Sequence, residues 1–417
     1  MRVTKAIAAA SAALLLLLQG AFADDGSTAA TKEWAGYMET LAPLGERMVN
    51  KMPDADDPQM RSEMYQQIYS AIAHGYFGAV YADAEYPDFI PYFNQAFNYL
   101  APNPDDVYYE TPVQGDGVYK ISGTRGTVRY VNFTIGSGTL TPYGTGAFGP
   151  TLADHDIDEL QISKKDGSFE VILSNTRPQG YRGDWWQLDP KTTNILVRQI
   201  SYDWLREVDA RLAIERLDRP AIKPRQSAAE IEKRLKHVAE WAESWSSIWL
   251  NRDADLINKL AIHDLNSLGG LTTQQYYEGR FDIGSDEALI LETDVPKKCR
   301  YWNVELTNML WSAVDYLNRQ SNLNGFTAKV DSDGKFRAVI SAQDPGVPNW
   351  LDNGGYQKGY IFGRWTVCDT HPVPTLTRVK LADVRSHLPA DTPIITAKAR
   401  DASLRLRRKG AQLRRRW

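Results

Sequence analysis

The sequence predicts an α+β protein. It reads as two antiparallel β-sandwich or jelly-roll-like domains with an N-terminal helical segment, a helical insert and a C-terminal helical tail. Three observations carry this. Stretches with a helical apolar repeat flank long stretches in which the repeat drops to two. Within the latter, turn residues recur at short intervals, as in Gly115-Asp116-Gly117, Asp166-Gly167-Ser168 and Asp331-Ser332-Asp333-Gly334. The chain shows no strand–helix alternation, no glycine-rich phosphate loop and no tandem repeat, which argues against a doubly wound parallel sheet.

Residues 1–23 read as a secretory signal peptide. Arg2 and Lys5 precede an apolar run from Ala6 to Leu18, and Ala21-Phe22-Ala23 supplies the small residues for cleavage before Asp24. The run is too short to span a bilayer comfortably. A periplasmic or secreted protein with no transmembrane segment after cleavage is expected. Residues 24–100 form the helical segment, with Trp34, Tyr37, Met38 and Leu41, then Met60, Met64, Ile68, Ile72 and Phe77, near helical spacing. Asn103-Pro104-Asp105 breaks that pattern.

Residues 101–225 form the first β domain, with strand candidates at Val118–Gly123, Val128–Phe133, Phe169–Ile172, Asn194–Trp204 and Arg211–Leu217. Residues 226–268 are the helical insert, its helix reaching to about Leu260. Ser227 with Glu230 fits a capping box. Trp241, Trp245 and Trp249 share one helix face, read as a core-facing stripe in preference to a ring-lined groove. Residues 269–390 form the second β domain, which closes with a short helix over Leu381–His387. Residues 391–417 are a basic helical tail.

The formal charge is -4, yet the tail from Arg400 to Trp417 holds eight basic residues and one acid, so the rest of the chain is strongly acidic. An acidic body disfavours nucleic acid as a partner. Leu404, Leu406 and Leu413 are expected to dock the tail on that body, anionic lipid being the alternative. A hydrophobic content of 43% with 21 Tyr and 12 Trp argues for a real core and against disorder. Cys299 and Cys368 read as a disulfide in an oxidising compartment, worth about 4 kcal/mol on the chain-entropy model.

The densest candidate site runs from Tyr301 to Trp365. Glu305, Asp344 and Asp352 are the candidate catalytic carboxylates: Glu305 and Asp344 for proton transfer, Asp352 for orientation. Trp302 and Trp350 would stack on a ring, Arg319 and Arg364 would stabilise an anion, and Asn324 and Asn349 would add substrate contacts. Against this stand the turn signals Asp344-Pro345-Gly346 and Asp352-Asn353-Gly354 and the role of arginines as buried ion-pair partners. The Pro102–Asp106 loop and the Arg198/Asp203 pair are secondary candidates. The elbow Gly-x-Ser-x-Gly is absent, and the six histidines form no metal-binding spacing. Asp154-His155-Asp156 with Asp158 and Glu159 reads as a solvated acidic loop. No metal and no cofactor are expected.

Tyr301-Trp302, the Asn318–Asn324 segment, Asp344-Pro345-Gly346 with Asn349-Trp350-Leu351-Asp352, and Gly363-Arg364-Trp365 resemble the bacterial family known as domain of unknown function 1214. The resemblance spans roughly Leu271 to Pro389. Upstream, Trp185-Trp186-Gln187-Leu188-Asp189-Pro190, Val197-Arg198-Gln199 and Tyr202-Asp203-Trp204 are similar to the first part of longer members. The resemblance implies an α+β protein with β-sandwich or jelly-roll-like domains and allows a homo-oligomer. It implies no chemistry. The expectation is an exported hydrolase or lyase that uses carboxylates on a polar, ring-bearing small molecule or glycan. The alternative is a periplasmic ligand-binding or envelope-interaction protein without catalysis.

Overall fold

The computed structural model describes residues 29–52, 55–138, 149–247, 256–265 and 269–414. The signal-peptide stretch, Trp249 and residues 415–417 of the tail lie outside the described residues. The chain divides into two compact units, residues 1–44 and 45–417. Helix α1 (Ala29–Leu41) lies in the first, and a short helix α2 spans Leu44–Val49.

The second unit contains α3 (Pro58–Gly75). Asp57 caps it, accepting the amides of Gln59 at 2.8 Å and Met60 at 3.4 Å, and Pro58 starts it where no amide is needed. It continues into a π-helical turn over Tyr76–Tyr81. Helix α4 (Ala228–Ser247) starts after Ser227, whose hydroxyl accepts the Glu230 amide at 3.2 Å. The two helices meet around Trp241. A Cβ on Gly78 would stand 2.2 Å from that indole, so only glycine fits there.

The structure corrects two sequence boundaries. Helix stops at Tyr81, and the chain to Asp105 is irregular apart from strand β1 (Ile90–Pro91). Leu260 is not helical either, since Ile257 bridges to Arg280 and β10 (Ala261–His263) follows. In both stretches tertiary packing overrides local preference.

The first sandwich is built from β2 (Asp106–Pro112), β3 (Tyr119–Thr124), β4 (Tyr130–Gly136), β5 (Thr151–Asp156), β6 (Ser168–Ser174), β7 (Asp184–Gln187), β8 (Asn194–Ile200) and β9 (Arg211–Arg216). One sheet has the order β1-β2-β8-β4-β5, the other β7-β6-β3-β9. The second comprises β11 (Gln274–Asp282), β12 (Glu287–Asp294), β13 (Cys299–Thr307), β14 (Asn322–Asn324), β15 (Lys335–Ser341), β16 (Trp350–Asp352), β17 (Lys358–Cys368) and β18 (Thr375–Lys380). Its sheets run β10-β11-β17-β13-β14 and β16-β15-β12-β18. Ile121, Val131, Phe133, Val171 and Val197 centre the first core, and Tyr277, Leu289, Val304, Ile340 and Trp365 the second. The fold is therefore α+β with two sandwiches, as the alternating patterns predict.

The second sandwich repeats the first strand for strand. Even the single parallel pair recurs, β6 with β7 and β15 with β16. Tyr108 and Asn132 flank Arg198 in register, and Tyr276 and Asn303 flank Arg364 in the same way. The sequence shows no tandem repeat at the level of residue identity. Tyr108-Tyr109-Glu110 against Tyr276-Tyr277-Glu278, and Tyr130-x-Asn132 against Tyr301-x-Asn303, are the short matches that the shared topology leaves.

Cys299 and Cys368 face each other across β13 and β17 and form a disulfide. Helix α5 (Ala397–Leu413) does dock on the body, with Leu404 half-buried but two of the three expected leucines turned outward. Leu406 and Leu413 are 54% and 60% exposed. Arginines hold it instead: Arg400 pairs with Asp344 at 2.9 Å, Arg407 donates to the Tyr316 carbonyl at 2.6 Å, and Arg414 donates to the carbonyls of Asp105 and Gln199. Among the described residues no helix is long and apolar enough to cross a membrane.

Candidate functional site

A strand has two faces, and a sandwich core needs only one. In β2, β4 and β8 the other face carries Asp106, Tyr108, Glu110, Asn132, Thr134, Asn194 and Arg198. In β11, β13 and β17 it carries Gln274, Tyr276, Asn303, Glu305 and Arg364. Alternation of this kind predicts a wet surface, yet nearly all of these residues are buried. The two polar faces meet each other. Tyr301 donates to Asp105 at 2.7 Å, Asn303 to Asn103 at 2.8 Å, Asn324 to Asp105 at 2.9 Å, and the Thr272 amide to Asp154 at 2.7 Å.

The meeting is reciprocal. Arg198 donates one terminal nitrogen to Thr134 at 2.6 Å and the other to the Gly269 carbonyl, at the entry to the second sandwich, at 2.8 Å. Arg364 donates one to Glu305 at 2.6 Å and the other to the Ala101 carbonyl, at the entry to the first, at 2.8 Å. Thr134 and Glu305 occupy the same place in the two sandwiches, as do Gly269 and Ala101.

A cavity of about 140 Å³ opens at this junction. Engineered cavities of about 150 Å³ take up benzene, so there is room for a small ring. Equivalent pairs line it from the two sides, among them Asp106 and Gln274, Tyr108 and Tyr276, Leu196 and Phe362, and Arg198 and Arg364. Trp241 and Trp245 of α4 add an aromatic wall, so the stripe predicted to face the core packs on His74, Tyr92, Phe93 and Tyr99 and also faces the cavity. Leu100, Ala101 and Trp311 also line it, and all three take left-handed backbone, with φ of 64°, 48° and 58°. Such strain in non-glycine residues gathers at functional sites.

Burial without full compensation tunes the acids here. Glu110 receives the Asn194 amide at 3.0 Å, and its Oε2 takes no hydrogen bond among the described residues. Burial pushes its carboxyl up to about 8. Asp106 is pushed up to about 6 by burial, opposed by Tyr108 and by the charges of Arg198 and Arg364. Burial also raises Glu305, against the pull of Arg364. Behind the tryptophan wall, His74 stacks on Phe97 and bonds Tyr99, and burial holds it down to about 3, so it is neutral.

The structure does not bring the three sequence-predicted carboxylates together. Only Arg364 of the nine candidates lines the cavity, with Glu305 behind it as its ion partner. Asp344 holds Arg400 of α5 and caps the Gly346 amide. Asp352 pairs with Arg319 at 2.9 Å and caps Gly354. Asn349 ties the Lys329 and Arg337 carbonyls, and Trp350 donates to the Ser341 carbonyl. Trp302 belongs to the second core, and Asn324 binds Asp105. These are packing and turn roles, the alternatives that the turn signals had offered. Glu110 and Asn194 were missed. The available signal was a carboxylate and an amide placed on strands otherwise rich in apolar residues.

A solved structure of an uncharacterized protein from Burkholderia cenocepacia is 30% identical to the chain, with a TM-score of 0.76. The match covers 85% of this chain and 98% of that one. A protein from Vibrio parahaemolyticus is 14% identical over 75% of this chain and 98% of its own, with a TM-score of 0.43. No family model and no curated protein matches the chain.

Proposed function

The chain belongs to the same family as the uncharacterized Burkholderia cenocepacia protein, and from that kinship and the cavity we propose an exported enzyme that performs acid/base chemistry on a small ring-bearing molecule held between its two sandwiches. The observation that carries this is Glu110. Its carboxyl is buried at the cavity wall with one oxygen unpartnered among the described residues, and it stays protonated near neutral pH. A carboxyl so placed acts as a general acid, donating its proton to a leaving or developing oxygen or nitrogen. The tryptophan wall would stack on the ring.

The second reading is an exported ligand-binding protein without chemistry. One observation favours it: Arg198 and Arg364 have both terminal nitrogens engaged by the protein, which leaves less for stabilising a transition state. The test is incubation of the purified protein and its Glu110→Gln variant with an extract of bacterial envelope and medium, read by untargeted mass spectrometry. A product made by the wild type and not by the variant supports the enzyme. A compound retained by both and changed by neither supports binding. An extract left untouched and unbound would sink both readings.

A further inference from the structure

We propose that Glu110 and Asn194 form a recognition edge for a planar amide, so that the ligand is a ring bearing a carboxamide or lactam –CO–NH– group. This rests on the cavity being the ligand site and names the class of molecule it takes.

The argument starts from an incomplete pair. Asn194 Nδ2 donates to Glu110 Oε1 at 3.0 Å. That bond leaves Glu110 Oε2 and Asn194 Oδ1 buried and without partners among the described residues. An unpaired buried polar atom loses its hydration without replacement, and buried polar groups are rarely left so. Both residues line the cavity. A protonated Oε2 donates, and a carboxamide Oδ1 accepts only. The complementary group therefore offers one acceptor beside one donor. An amide does so with its carbonyl and N–H. A carboxylate brings two acceptors and would repel Asn194 Oδ1, and a plain hydrocarbon ring pairs with neither.

The internal repeat provides an independent comparison. The place of Glu110 is taken in the second sandwich by Glu278, which lies 3.5 Å from His263 and does not line the cavity. Tyr360 stands where Asn194 stands, and Thr307 where Gly136 stands. Gly136 lies beside Asn194 on the first side, where a Cβ would come within 2.8 Å of Asn194 Oδ1 and push that side chain aside. The interface is thus equivalent on both sides at its arginines and tyrosines and one-sided at this edge. A local departure from an otherwise consistent pattern is where function is expected.

The experiment measures binding of benzamide, benzoate and toluene to the full-length protein by titration calorimetry at pH 6 and pH 9.5. The expected result is benzamide binding at least tenfold tighter than the other two at pH 6 and weakening at least tenfold at pH 9.5. Glu110→Gln keeps a donor and retains benzamide binding without the pH dependence. Glu110→Leu loses the preference for benzamide. Thermal unfolding of both variants confirms that they are folded. Equal affinity for benzamide and toluene, a preference for benzoate, or pH-independent binding by the wild type would overturn the edge while leaving the cavity a ligand site. If none of the three binds but the envelope extract yields a product, the edge falls and the enzyme reading stands. If both fail, both fall.

Discussion

Arg198 and Arg364 hold the same register position in the two sandwiches, and each reaches across to the carbonyl that leads into the other, Gly269 and Ala101, both at 2.8 Å. Their near partners differ. Thr134 is neutral and Glu305 is a carboxyl at 2.6 Å. Arg364→Ala leaves that carboxyl buried without its cation, at about 3–5 kcal/mol. Arg198→Ala leaves only neutral acceptors, at about 1–3 kcal/mol. Denaturant midpoints of the two variants should fall in that order. Equal losses would contradict the asymmetry.

The acids and His74 predict how stability depends on pH. Glu110 is raised from 4.5 to about 8, so the folded protein keeps a proton that the unfolded chain releases. Its stabilisation is full below about 4.5 and is lost as pH rises through about 8. His74 is lowered from 6.5 to about 3, so its contribution is full above 6.5 and is lost as pH falls through about 3. Burial raises Glu305 from 4.5 to about 8 as well, with the same sign. Thermal midpoints from pH 4 to pH 9 should fall at both ends, and Glu110→Gln should lessen the alkaline fall and leave the acid fall unchanged. An unchanged alkaline slope in that variant would mean that Glu110 is ionised in the folded protein.

Gly363 sits under the ring of its cross-strand partner Tyr277, where a Cβ would stand 1.9 Å from Tyr277 Cζ. Gly363→Ala must displace that buried ring, for about 1–3 kcal/mol or more. It should lower the unfolding temperature although the site is a strand, where alanine is otherwise better than glycine. A neutral or stabilising outcome would show that Tyr277 can move freely.

Arg414 is buried and holds Asp209 as well as the carbonyls of Asp105 and Gln199. Arg414→Ala should cost about 3–5 kcal/mol, as for other broken buried pairs, and limited proteolysis should then release α5. Leu406→Ser and Leu413→Ser should change stability by less than about 0.5 kcal/mol, because both side chains are exposed. The reverse order would restore the leucine-docked helix that the sequence suggests.

Sequence by itself determined the class of most segments, the stretch after Tyr81 and the end of the helical insert excepted. Alternation in stretches such as Val128–Phe133, the capping residue Ser227, and turn glycines are local signals, and the backbone obeys them locally. The cysteine pair was legible because the chain has only two. What only the tertiary structure decided is where the second faces of the strands go. Polar alternation at Asp106, Glu110, Asn132, Asn303, Glu305 and Arg364 normally signals solvent, and here it marks a buried junction between two copies of one topology. Residues as far apart as Asp105 and Tyr301 become bonded neighbours there. The density of aromatic and charged residues after Tyr301 pointed into one sandwich, whereas the cavity draws on both and on α4. Periodicity along a strand says which residues share a face. What covers that face depends on packing between segments far apart in the chain.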